Sequence, residues 1–91
     1  MNIALKRMIA VMMNQHIVGH KHIPEMLLIK SRIKNLSKQQ QKEFMDEYSR
    51  LVNMDYFWRL KKRTGKGTEW HISINPDMLV DLKELIGDES T

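Results

Sequence analysis

The chain has 91 residues, no cysteine, and 15 Lys/Arg against 11 Asp/Glu for a formal net charge of +4. That length suits one domain with little core to spare, and the composition excludes a disulfide scaffold. No apolar run approaches the roughly 18 residues of a membrane span, and residues 8–13 are too short for a secretory leader, so a soluble cytoplasmic protein is expected. The charge is uneven: residues 1–42 carry eight Lys/Arg against one Glu, residues 55–75 five against two acids, and residues 76–91 one against five. Such asymmetry points to a polyanionic partner on one side of the molecule. The blander reading is that Lys and Arg keep a Met-rich chain in solution.

Residues 2–18 read as a first helix, with Ile3, Leu5, Met8, Ile9, Met12, Met13, His16 and Ile17 at helical spacing, Asn2 as N-cap and Gly19 as the stop. His20, Lys21 and His22 form a short connector. Pro24 opens a second helix, where its missing N–H costs nothing. Met26, Ile29, Ile33 and Leu36 form its buried stripe, widened by Leu27 and Leu28, with Lys30, Arg32 and Lys34 on the remaining surface. Ser37 and Gln40 match a capping box. A third helix then runs over residues 38–53, with Phe44, Tyr48, Leu51 and Val52 as core and Met45 at its margin. The turn between the second and third helices is short, as a helix-turn-helix requires.

Residues 55–75 show two alternating runs around Gly65, Lys66 and Gly67, the mark of a β-hairpin. A three-residue loop with Gly67 as the left-handed bulge residue sets Thr64 opposite Thr68, Arg63 opposite Glu69, Lys61 opposite His71, Leu60 opposite Ile72 and Trp58 opposite Ile74. One face then holds Tyr56, Trp58, Leu60, Trp70, Ile72 and Ile74. The other holds Arg59, Lys61, Arg63, Glu69, His71 and Ser73, with Phe57 its lone apolar member. A slip of one residue would pair Leu60 with His71 and mix the faces. After Pro76, a short amphipathic helix carries Met78, Leu79, Leu82, Leu85 and Ile86 and stops at Gly87. Residues 1–87 form one domain and residues 88–91 a frayed acidic tail.

Three helices followed by a basic hairpin resemble the winged helix-turn-helix superfamily over residues 2–74. The residues that carry the resemblance are the Pro24-Glu25-Met26-Leu27 entry to helix two, the capped helix three, and the passage at residues 48–57 where helix three runs into the first wing strand. The implied fold is α+β: a small winged helix with a three-helix body, a hairpin wing and a final short helix. The resemblance implies a transcription regulator on double-stranded DNA. Gln39 and Gln41 at the start of helix three would read base edges, since a carboxamide both donates to and accepts from adenine. Lys30, Lys34, Lys38 and Lys42 would meet phosphates, and Arg59, Lys61, Lys62, Arg63 and Lys66 of the wing would follow the backbone or minor groove. Glu43, Asp46 and Glu47 depart from the pattern, because acids on that helix would repel phosphates. A homodimer through helix one and the C-terminal helix would suit a symmetric operator.

Each of these residues has a plainer reading. Gln and Lys are good solvated helix formers, and lysines on a hairpin edge protect it against strand pairing. Trp58 and Trp70 read as core rather than stacking platforms, with Phe57 the better stacking candidate if exposed. His16, His20 and His22 lack the compact Cys/His set of a zinc site, so no metal and no cofactor is expected. No nucleophile elbow, Walker loop or paired carboxylates mark an enzyme. The rival to DNA binding is a winged-helix adaptor for a protein partner, with RNA binding a third option.

Overall fold

The computed structural model describes residues 1–87. Its elements run α1 (Ile3–Asn14), β1 (Ile23–Pro24), α2 (Glu25–Ile33), α3 (Lys38–Asn53), β2 (Phe57–Thr64), β3 (Gly67–Ile74), a 3-10 turn (Pro76–Met78) and α4 (Leu79–Ile86). The strands form one antiparallel sheet ordered β1-β3-β2. The fold is therefore α+β. The tail expected over residues 88–91 lies outside the described residues, and among those described no helix is long and apolar enough to cross a membrane.

Asn2 caps α1 as expected, its side chain accepting from the Leu5 N–H at 3.1 Å. The helix ends at Asn14, four residues before the expected stop. His16 turns to φ +56°, and Ile17 points inward, buried, while its carbonyl accepts from the Ile74 N–H at 2.9 Å. Burying Ile17 beside the end of β3 outweighs another helical turn. Gly19, at φ +63°, consequently serves the turn into the connector rather than a helix end, and a Cβ there would stand 3.3 Å from Pro76 Cγ.

The stripe on α2 keeps Leu28, Ile29 and Ile33 as expected but begins at Glu25 in place of Met26. Glu25, Leu28 and Ile29 are buried, whereas Met26 and Leu27 are 49 % and 69 % exposed. Both stripes obey helical spacing. The observed one prevails because Glu25 finds partners inside, described below. The α3 helix matches its expected bounds. Both halves of its capping box form, and Phe44, Tyr48 and Leu51 are buried with Met45 and Val52 packed against them. Leu5, Met8, Ile9 and Met12 of α1, Phe44, Ile72, Ile74 and Leu82 meet in one core.

The hairpin lies where the alternation placed it, but in the slipped register. Leu60 pairs with His71, Lys62 with Glu69 and Arg63 with Thr68, and Thr64 faces Gly67 across a two-residue loop of Gly65 and Lys66. Gly67 takes φ +132°, a conformation that favours glycine. Phe57 is thereby 4 % exposed and shares the inner face with Ile72 and Ile74. Trp58 and Trp70, expected in the core, lie on opposite faces at 40 % and 39 % exposure. The slip lies in β2. The central strand β3 keeps its expected faces, Ile72 and Ile74 on one and His71 and Ser73 on the other, and its last four residues are buried whichever face they point to. The face away from the core meets the connector, where Ser73 Oγ donates to the Gly19 carbonyl at 2.8 Å, while β1 pairs with the edge of β3, Ile23 with Ile72 and Pro24 with His71. In β2, Phe57 and Trp58 are adjacent and both apolar, so hydropathy does not choose which of them faces the core.

Candidate functional site

Beyond the pair Leu60–His71 the hairpin leaves the body, and all of residues 61–70 are exposed. Lys61, Lys62, Arg63 and Lys66 sit in this segment against one acid, Glu69. Alternation from Phe57 directs Arg59, Lys61 and Arg63 to the side of the sheet that carries the helices, and Lys62 to the other. Lys61 Nζ lies 5.3 Å from the centroid of the Trp70 ring. At the loop, Thr64 Oγ accepts from the Lys66 N–H at 3.3 Å and donates to the Gly67 carbonyl at 3.2 Å. The turn is thus tied locally, with the cationic side chains directed into solvent.

Arg59 stands apart from the other hairpin cations. Its Nε donates to Glu25 Oε2 at 2.7 Å and its Nη2 to Oε1 at 3.0 Å, a bidentate pair. Tyr48 donates to the same carboxylate at 2.5 Å, and the Arg59 guanidinium lies 4.2 Å from the Trp70 ring centroid. One carboxylate thereby joins α2, α3 and β2 at the root of the hairpin. Burial first, then the hydrogen bond to Glu25, pushes the Tyr48 phenol above its ordinary range. The hydrogen bond to Glu25 likewise holds Arg59 above its usual value. Engaged in this way, Arg59 positions the hairpin.

On α2, Lys30 and Lys34 are exposed four residues apart, hence on one side of the helix. Lys30 also lines a shallow groove with Pro24, Met26, Leu27 and Glu69, which brings it beside the hairpin. Lys38 and Lys42 are exposed with the same spacing on the first turns of α3. Gln39 donates to Glu43 at 3.3 Å. Gln41 is otherwise committed: its Nε2 donates to the carbonyls of Ile33 at 3.2 Å and Leu36 at 3.1 Å, capping the end of α2. Of the acids on α3, Glu47 turns away to accept from the Asn2 N–H, both oxygens at 3.1 Å, and so neutralises part of the positive end of the α1 dipole. Asp46 remains exposed.

Sequence reasoning missed a second basic feature. Arg7 and Arg32 line a groove with Asn2, Ser31, Gln40 and one acid, Glu43, between the start of α1 and the α2–α3 turn. Helical spacing places each on its helix but does not bring two helices together, so the pairing had no signal in the chain. The three histidines considered for metal diverge. His16 is exposed, His20 lies edge-on to Trp58, and His22 contacts His71. No family model, curated protein or solved structure matches the chain.

Proposed function

We propose that this chain is a small winged-helix protein that binds double-stranded DNA and regulates transcription. The observation that carries the reading is the projection of Lys61, Lys62, Arg63 and Lys66 beyond the packed root of the hairpin, on a sheet whose strand order is β1-β3-β2 behind the capped α3. A rigid root with a solvated cationic tip suits backbone contact, which sets position and affinity. Lys38, Gln39 and Lys42 extend the surface onto α3 and Lys30 and Lys34 onto α2. Gln39 is the base reader of this proposal. Gln41 contributes instead by holding the helix-turn-helix geometry. A homodimer forms through the α1–α4 side, where Ala10, Met13 and Ile86 line a shallow groove and Val80 and Leu85 of α4 are exposed.

The test is charge reversal of Lys61, Lys62 and Arg63 to Glu. DNA affinity is expected to collapse, and wild-type log affinity to fall against log salt with a slope of about −4 to −5 if about five phosphates are neutralised. A second reading, an adaptor that binds protein, draws on the exposed Met26, Leu27 and Trp70 and on Asp46 in the middle of the outer face of α3. DNA binding that survives the triple reversal, or none at any salt, would favour it.

A further inference from the structure

The connector over residues 19–24 runs beside β3 and meets the face of the sheet that the helices leave open through Gly19, bonded by Ser73 Oγ, through His20 against Trp58, and through a contact between two imidazoles. His22 Nδ1 and His71 Nδ1 stand 2.8 Å apart, their rings nearly perpendicular with centroids at 4.8 Å. His71 is buried, and its Nε2 lies 2.9 Å from Glu69 Oε1. An ionised carboxylate only accepts hydrogen bonds, so His71 Nε2 carries a proton. In the neutral ring, His71 Nδ1 is then a lone pair, and His22 must present Nδ1–H to it. One further proton, on His22 Nε2, leaves this contact intact. A second, on His71 Nδ1, would set two N–H groups against each other at hydrogen-bond distance. The closed pair therefore holds at most one excess proton, whereas the separated imidazoles hold two.

We propose that His22 and His71 form an acid-released latch that holds the connector on the sheet at neutral pH and frees it as both rings become charged. The surroundings favour this behaviour. Glu69 on β3 can stabilise one imidazolium, while Lys62 on β2, opposite Glu69, and Lys30 on α2, which shares a groove with it, oppose the second. From the connector itself, His20 packs against Trp58 and Lys21 donates to the Gln15 carbonyl, so neither neutralises the pair. Burial, then His71, then Lys62 hold His22 below the ordinary imidazole value. The separated state thus binds more protons, and the latch's contribution is fully present above about pH 6.5 and is lost as pH falls below it. The connector's start is held separately, by the Gly19 N–H on the Ile74 carbonyl and by Ser73 Oγ on the Gly19 carbonyl, whereas at its far end β1 has two residues and one is a proline without an N–H, so the imidazole pair bears on that end. The latch stands whatever the basic surface binds.

The experiment follows the imidazole nitrogens of the full chain by NMR from about pH 8 to about pH 5. At the upper end His22 is expected as the Nδ1–H tautomer and His71 as the Nε2–H tautomer. His22 should titrate below the ordinary imidazole value, and protection of the Ile23 and Ile72 amides should fall about tenfold as the second proton enters. In parallel, His22→Ala should lower the urea midpoint at neutral pH and match the wild type at the acid end. A His22 that titrates at the ordinary imidazole value while the connector amides stay protected would overturn the latch, as would a His22→Ala midpoint with the wild-type pH dependence. The titration uses the wild-type chain, so it decides the matter even if the variant fails to fold.

Discussion

The root and the tip of the β2–β3 hairpin belong to the same two strands and obey opposite constraints. At the root, Phe57, Ile72 and Ile74 face the helices, His71 and Ser73 face the connector, and all five are buried. At the tip every side chain from residue 61 to residue 70 is exposed, and cations outnumber the one acid. Stability should therefore concentrate in the root, while the tip is free to carry whatever charge a partner requires. Glu25 marks the boundary, gripping Arg59 where the buried part ends.

The largest expected effect is at Phe57. Truncation to Ala removes an aromatic ring between Tyr48, whose ring centroid lies 5.7 Å away, and the inner face of β3. The cost should be about 3–5 kcal/mol, a large share of the about 5–15 kcal/mol typical of a whole domain. Urea denaturation measures it. A loss below about 1 kcal/mol would mean that Phe57 faces solvent, as the register with Trp58 opposite Ile74 would require. Trp58→Ala, under the same measurement, should cost less than Phe57→Ala although it deletes more atoms.

Next comes the boundary. Glu25→Gln leaves the Tyr48 hydroxyl an acceptor but replaces one of the two oxygens that serve Arg59 with a donor. Removing one partner of a fully buried pair costs about 3–5 kcal/mol. Arg59 keeps 31 % of its side-chain surface, so solvent screening lowers the expectation to about 2 kcal/mol. Tyr48→Phe, which deletes one hydrogen bond to the same carboxylate, should cost about 1–2 kcal/mol. If Glu25→Gln proved neutral, the carboxylate would not be what sets the rotation of α2.

The same boundary separates what was legible in the sequence from what was not. Local signals read correctly: the Ser37–Gln40 capping box located α3 to the residue, and the Gly65–Gly67 cluster located the hairpin. Signals that assume a single buried face failed. Ile17 joined the sheet instead of extending α1, and Glu25 displaced Met26 from the core of α2. The hairpin register followed Phe57 rather than its apolar neighbour Trp58, a choice between adjacent residues that hydropathy alone does not make. Of the expected surface, Lys30, Lys34, Lys38, Lys42 and the tip cations are solvent-facing, since long charged side chains are rarely buried unless paired. The partners of Arg59 and Gln41 were not legible because they lie far along the chain or in another element. A hydrogen bond from position 41 to the carbonyls of Ile33 and Leu36 leaves no trace in hydropathy.

The smallest expected effect on stability is the most informative about function. Reversing Lys62 would set a carboxylate opposite Glu69 and beside His22, and reversing Lys61 would remove its cation–π interaction with Trp70. Either change mixes a folding effect with a binding effect. Arg63 and Lys66 are free of this ambiguity. Arg63 lies opposite Thr68, and Lys66 is held in the turn through its backbone N–H alone. Arg63→Glu with Lys66→Glu should therefore leave the urea midpoint nearly unchanged, within about 0.5 kcal/mol per site. If the tip follows a DNA backbone, the same variant should bind more weakly and its salt slope should be shallower by about 2, at about 0.9 for each phosphate no longer neutralised. Unchanged stability with an unchanged slope would leave the tip a solvated edge and move the search for a partner to α2. Reduced stability would erase the distinction between root and tip, because charges that touch nothing in the fold cannot support it.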